Sequence, residues 1–112
     1  EIAQSGLASP LAVLKRMGPG RAGHLSFPME GWTLAIDFPN REAARALIAR
    51  LEDRTAEAGG RLYFAKDSLA RGAQIRAMYP ELPDWQEIVA DIDPEGRLTT
   101  DLIRRLNLRS AR

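Results

Sequence analysis

The chain of 112 residues contains no cysteine, which excludes disulfide staples, thiolate nucleophiles and cysteine metal ligands. Its one histidine, His24, has neither a second imidazole nor a thiolate with which to build a zinc site. No run approaches the ~20 apolar residues of a membrane span, and no signal-peptide pattern opens the chain. A cytoplasmic location, in solution or peripheral to a membrane, is therefore the expectation. An excess of one charge is missing too: 16 Lys and Arg stand against 15 Asp and Glu, for a formal net charge of +1. That balance sets up no field for nucleic acid, and no basic stripe alternates with stacking aromatics. The scarcest cation is lysine: of the 16 cationic side chains only Lys15 and Lys66 are lysines.

What is present is enough for a folded unit. At 45% hydrophobic residues and 28% charged, the chain can bury a core and is not a disordered composition. The opening EIAQSGLASP lacks an initiator Met and reads as the tail of a helix stopped at Gly6, so the chain is expected to be cut from a longer one.

Hydrophobic alternation marks the strands. In PLAVLKRMG, Leu11, Val13, Lys15 and Met17 share one face, with Ala12, Leu14 and Arg16 on the other. GPGRAGHLSFPMEG follows as a Gly- and Pro-rich loop, with a short extended piece expected at His24 to Phe27. WTLAIDF is a second strand, with Trp32, Leu34, Ile36 and Phe38 opposite Thr33, Ala35 and Asp37. Asn40 is placed to N-cap a helix over Arg41 to Ala58, whose Ala44, Leu47, Ile48 and Leu51 form an apolar stripe. Gly59 and Gly60 stop that helix, and RLYFA then reads as a third strand.

Beyond Lys66 the spacing predicts helices at about Leu69 to Tyr79, Pro83 to Ile92 and Thr100 to Leu106. Pro83 suits a first turn, and Trp85, Ile88, Val89 and Ile92 form the buried face of the second of these helices. The only low-complexity hint is the polar tail RSAR. The order predicts an α+β fold, an antiparallel sheet with helices packed on one side and C-terminal helices after it. Residues 1–68 form the sheet-containing part and 69–112 the helical segment, within one compact unit.

Several motifs lead nowhere. DIDPEGRLTTDL imitates the first half of a calcium loop, but Leu102 stands where a bidentate Glu is required and Pro94 interrupts it. A turn followed by a Thr99 or Thr100 helix cap accounts for it better. GPGRAG has neither dinucleotide nor P-loop spacing and reads as a hairpin loop. His24 has no assignable carboxylate partner and defaults to a loop position. The lysines are different in kind. Lysine is a compact, strongly hydrated point charge, and a chain that uses arginine elsewhere keeps it where a guanidinium fork would not fit, or by chance.

Three stretches, LSFPMEGWTLAIDFP, GGRLYFAKDS and DPEGRLTTDLIRRLNL, resemble in order the C-terminal part of FAD-dependent sugar oxidoreductases of the vanillyl-alcohol-oxidase-like superfamily. The decaprenylphosphoryl-ribose oxidases are the nearer branch and the aldonolactone oxidases a more distant one. The resemblance runs from about Pro10 to Leu108. It implies a partial cap domain set against a separate N-terminal FAD-binding domain, with a sugar-type substrate between them, oxidised by hydride transfer to the flavin.

By that resemblance Lys66 is the catalytic lysine at the flavin and substrate, and Lys15, Thr33, Ala35 and Tyr63 line the pocket. Regular pleating would put Tyr63 on the face opposite Lys66. The mycobacterial ribose oxidases carry Asn and Cys where this chain has Thr33 and Ala35, so the same lipid-linked sugar does not follow from the resemblance. FAD would be held mainly by the N-terminal domain, and the chain by itself is expected to be inactive. The alternative from the residues alone is a small α+β binding or dimerisation module. Either way, surfaces meant for a neighbouring domain favour a homodimer of the isolated chain.

Overall fold

A computed structural model of the chain describes residues 1–20 and 23–109. Arg21 and Ala22 of the GPGRAG loop and Ser110 to Arg112 of the RSAR tail lie outside the described residues. The elements run α1 (Ile2–Ser5), β1 (Ala12–Met17), β2 (Gly31–Ile36), α2 (Glu42–Glu57), a 3-10 turn (Phe64–Lys66), α3 (Gly72–Met78), α4 (Leu82–Ile92) and α5 (Asp101–Leu106). This is a small α+β domain, as the pattern of alternation followed by helical spacing predicts.

Both expected strands form, and they pair antiparallel with Lys15 opposite Thr33 and Val13 opposite Ala35. Residues directly opposite share a face, so Val13, Lys15, Met17, Thr33 and Ala35 lie together and Leu14, Arg16, Trp32 and Leu34 lie on the reverse. The hairpin projects from the helices instead of lying under them. Leu14, Trp32 and Leu34 are 61%, 69% and 51% exposed, and the contacts of β1 and β2 are chiefly with each other. The radius of gyration of 15.5 Å reflects this projection, since a close-packed chain of this length would have about 13 Å.

Gly6 stops α1 in the left-handed conformation, as expected. At the end of α2, Gly59 has a φ of 71°, and the bonds Gly59 N to Ala56 O and Gly60 N to Thr55 O form a Schellman stop. The start of α2 differs from expectation. Arg41, not Asn40, is the N-cap residue and makes no side-chain cap bond, while the Asn40 side-chain oxygen Oδ1 accepts from Arg45 Nε at 2.8 Å. Ala44 and Leu47 are buried, Ile48 and Leu51 half-buried, and Glu52 of the same helix is buried with them.

RLYFA is not a third strand. Leu62 and Phe64 pack on the helical core, and the Tyr79 hydroxyl donates to the Leu62 carbonyl at 2.6 Å. With that carbonyl taken by a side chain and its apolar residues claimed by helices, the segment turns into the 3-10 turn. His24 to Phe27 is likewise not extended throughout: a turn closed by Ser26 N to Gly23 O occupies its start.

The core joins Ala70, Ile75, Met78, Tyr79, Leu82, Leu106 and Leu108, with Phe64 stacked on Tyr79 at 4.7 Å. Gly72, the first residue of α3, lets two backbones meet, for a Cβ there would lie 2.3 Å from the Leu106 carbonyl oxygen. Pro83 lies in the first turn of α4 as expected, but the face expected to be buried is not: Trp85 and Val89 are half-buried, Ile88 is 44% and Ile92 74% exposed, and Leu82 is the residue the helix buries. Thr100 caps α5, accepting from Ile103 N at 3.2 Å. The calcium-loop look-alike is a structural turn. Asp93 accepts from Arg97 N at 2.9 Å, Leu98 N at 2.8 Å and Arg109 at 2.6 Å, and these donors hold its carboxyl down at about 2.

Candidate functional site

Eight of the fourteen arginines make ion pairs among the described residues, whereas Arg16, Arg41, Arg45 and Arg76 make none there. Each ion pair among the described residues is made by an arginine, for example Arg61 with Glu81, Arg71 with Asp53, Arg105 with Asp67 and Arg109 with Asp93. A planar fork suits such fixed, two-pronged bonds. Neither Lys15 nor Lys66 takes part in any of them, and both are exposed.

Lys15 stands on the hairpin, directly across from the half-buried Thr33. Ala35 is one pair further along the same face, opposite Val13. Alternation puts these three residues on one side of the strands, and the register joins them into one patch. An ammonium, a hydroxyl and a small apolar floor side by side can accept or donate to a polyhydroxyl compound without a bulky obstruction.

Lys66 and Tyr63 come from a separate segment. The Lys66 N–H donates to the Tyr63 carbonyl at 3.1 Å, closing the 3-10 turn. The pleat that would have set these residues on opposite faces is therefore absent, and the turn brings them back to one another. Tyr63 packs on Phe27 of the loop between β1 and β2, ring centroids 5.1 Å apart. Ser68 and Leu69 line an open hollow with Phe38, Pro39, Ala44 and Ile48. Residues 63–69 are thus bracketed by the stretches that precede and follow β2. The structure brings Lys15, Thr33 and Ala35 together on the hairpin and Tyr63 and Lys66 together in the turn, as two separate groups.

Sequence reasoning missed the parts that hold this arrangement. Arg61 donates to the Ser26 carbonyl at 2.8 Å and to Glu81 at 2.8 Å, while its guanidinium lies 4.8 Å from the centre of the Tyr79 ring. One side chain therefore ties the hairpin loop to the helices. Tyr79 itself is fully buried, and that burial pushes its hydroxyl up to about 12. Glu52 is the other omission. Burial, with Asp67 and Asp53 nearby, raises its carboxyl to about 7, against the pull of Arg71 and Arg105. No local pattern marks either residue, since their partners lie far along the chain. Among the described residues no group of three acids or histidines could hold a metal, and no helix is long and apolar enough to cross a membrane.

Residues 37–106 match the D-arabinono-1,4-lactone oxidase family, and the chain belongs to that family. It is 42% identical over 108 residues to the decaprenylphosphoryl-β-D-ribose oxidase of Mycolicibacterium smegmatis, covering 96% of this chain and 24% of that protein. A Streptomyces coelicolor protein known as an uncharacterized protein in the mprA 5′ region is 44% identical over 108 residues, 96% of this chain and 29% of its own length. The alditol oxidase of a Streptomyces species is 30% identical over 77 residues, 66% of this chain and 19% of that enzyme. The chain spans about a quarter of the length of these relatives.

Proposed function

We propose that this chain is the substrate-capping part of an FAD-linked oxidoreductase that oxidises a sugar alcohol, a sugar or an aldonolactone. One observation carries the reading: among the described residues every ion pair uses arginine and both lysines are left exposed without a carboxylate, Lys15 on the hairpin and Lys66 in the 3-10 turn. An exposed ammonium kept clear of carboxylates suits a partner that arrives from outside the chain. The names of the relatives, two oxidases of sugar-type compounds among them, favour the same class. The reading includes a cytoplasmic location and a flavin bound mainly by residues beyond this chain.

Flavin, when bound, supplies the acceptor for the hydride that leaves the substrate carbon. The residues of this chain do the rest. Lys66 would hold positive charge against the negative charge that reduction places on the ring. Lys15 and Thr33, side by side, would orient the sugar hydroxyls, and Ala35 would leave room for the carbon skeleton. Tyr63, backed by Phe27, would wall the turn that carries Lys66.

The test is flavin reduction in the flavin-loaded enzyme, followed under anaerobic mixing with an alditol, an aldose or an aldonolactone. Lys66→Ala and Lys66→Met are expected to slow it by roughly 10²-fold, the scale of losing one preorganised electrostatic contact. Lys66→Arg should also be impaired, because a fork does not replace a point charge. Unchanged reduction in the Ala and Met variants would remove Lys66 from the reaction.

A further inference from the structure

Lys66 serves a flavin or a sugar only if its ammonium stays in place, and a flexible four-carbon stem does not ensure that by itself. The backbone beneath it has to be held. Before Lys66, Phe64 stacks on Tyr79 and the Tyr79 hydroxyl holds the Leu62 carbonyl. After it comes Asp67, whose side chain is only 2% exposed although it sits in a surface turn. One Asp67 oxygen accepts from Leu69 N at 3.1 Å and Ala70 N at 2.7 Å. The other accepts from Arg105 Nη2, and Arg105 Nη1 donates to the Ala70 carbonyl at 2.9 Å. A single guanidinium thus grips both the carboxylate and the carbonyl of one turn and ties them to α5. An Asn or Ser would cap the turn as well. What the acid adds is the ionic bond to a helix nearly forty residues away in sequence.

The structure assigns Asp67 and Arg105 as the pair that positions Lys66, an assignment that rests on the flavin-facing role proposed above. Neither residue is asked to touch substrate or flavin; both act through the lysine.

Sulfite is a suitable probe, because it adds to oxidised flavin to give an anionic product whose stability reports positive charge near the ring. Its dissociation constant would be measured from the loss of flavin absorbance in the flavin-loaded enzyme. Asp67→Asn keeps an oxygen for Leu69 and Ala70 while giving up the ionic bond to Arg105. It is expected to weaken sulfite binding about fivefold when Lys66 is present, from a displaced charge. In a Lys66→Ala background the same change should have an effect of less than about twofold, since no ammonium remains to be displaced.

Arg105→Lys, which keeps the charge but loses the two-pronged grip, should repeat this pattern and serves if Asp67→Asn fails to fold. Amide hydrogen exchange at Leu69 and Ala70 should rise in both backgrounds. Equal weakening with and without Lys66 would make the pair merely structural and overturn the assignment. So would weakening by Lys66→Ala but none by either Asp67→Asn or Arg105→Lys, a result that leaves the role of Lys66 standing. Unchanged sulfite affinity in Lys66→Ala would sink that role, and the assignment with it.

Discussion

Glu52 offers a prediction with a definite sign. Its carboxyl is 7% exposed on the inner face of α2, and burial raises it from the ordinary 4.5 to about 7. A raised carboxyl means that the folded chain binds more protons than the unfolded chain between those two values. Stability contributed by the protonated form is therefore fully present below about pH 4.5 and is lost as pH climbs to about 7. The gap corresponds to about 3 kcal/mol, at 1.36 kcal/mol for each pH unit. Glu52→Gln keeps the shape and removes the charge, so it should be neutral near pH 4.5 and stabilising by up to about 3 kcal/mol at pH 8. For a domain of this size that is roughly 10 °C in Tm.

Urea unfolding at pH 5, 6, 7 and 8, followed by the fluorescence of the half-buried Trp85, gives the difference curve directly. The Asp93 carboxyl, held down at about 2, titrates far below this window and cancels between the two proteins. A difference that stays flat from pH 5 to 8, or that shrinks as pH rises, would refute the argument. Either result would mean that Arg71 and Arg105 compensate the buried charge fully.

Gly72→Ala should destabilise, although Ala is ordinarily the better helix former by about 1 kcal/mol. The added Cβ meets the Leu106 carbonyl oxygen at 2.3 Å, and separating α3 from α5 should cost about 2 kcal/mol, read as a lower urea midpoint. The isolated chain should self-associate through its open hairpin, where Leu14, Trp32 and Leu34 are exposed together. Light scattering at high concentration checks this, and Trp32→Lys with Leu34→Lys should restore a monomer.

Much of the fold was legible because it depends on neighbours in sequence. Alternation located both strands and, with it, the shared face of Thr33 and Ala35. Glycines located the ends of α1 and α2, and Thr100 the start of α5. RLYFA misled for an instructive reason. Its composition suits a strand, but a strand also requires a free edge to pair with, and here the helical core takes Leu62 and Phe64 first. Asn40 misled in the same way: a good capping residue was drawn off by Arg45, a side chain that no capping rule considers.

The sequence by itself determined that this chain has no thiol to offer, that its folded unit is α+β, and that lysine is rare among its cations. The tertiary structure decided what that rarity means. Only the register sets Lys15 across from Thr33, only the 3-10 turn returns Tyr63 to Lys66, and only the folded chain shows eight arginines committed to ion pairs and neither lysine so committed among the described residues. It also decided that Glu52 is buried and Asp67 clamped. The physical reason is common to all of these. Secondary structure answers to residues within a few positions, whereas burial, ion pairing and the placing of a charge depend on contacts between segments twenty to forty residues apart.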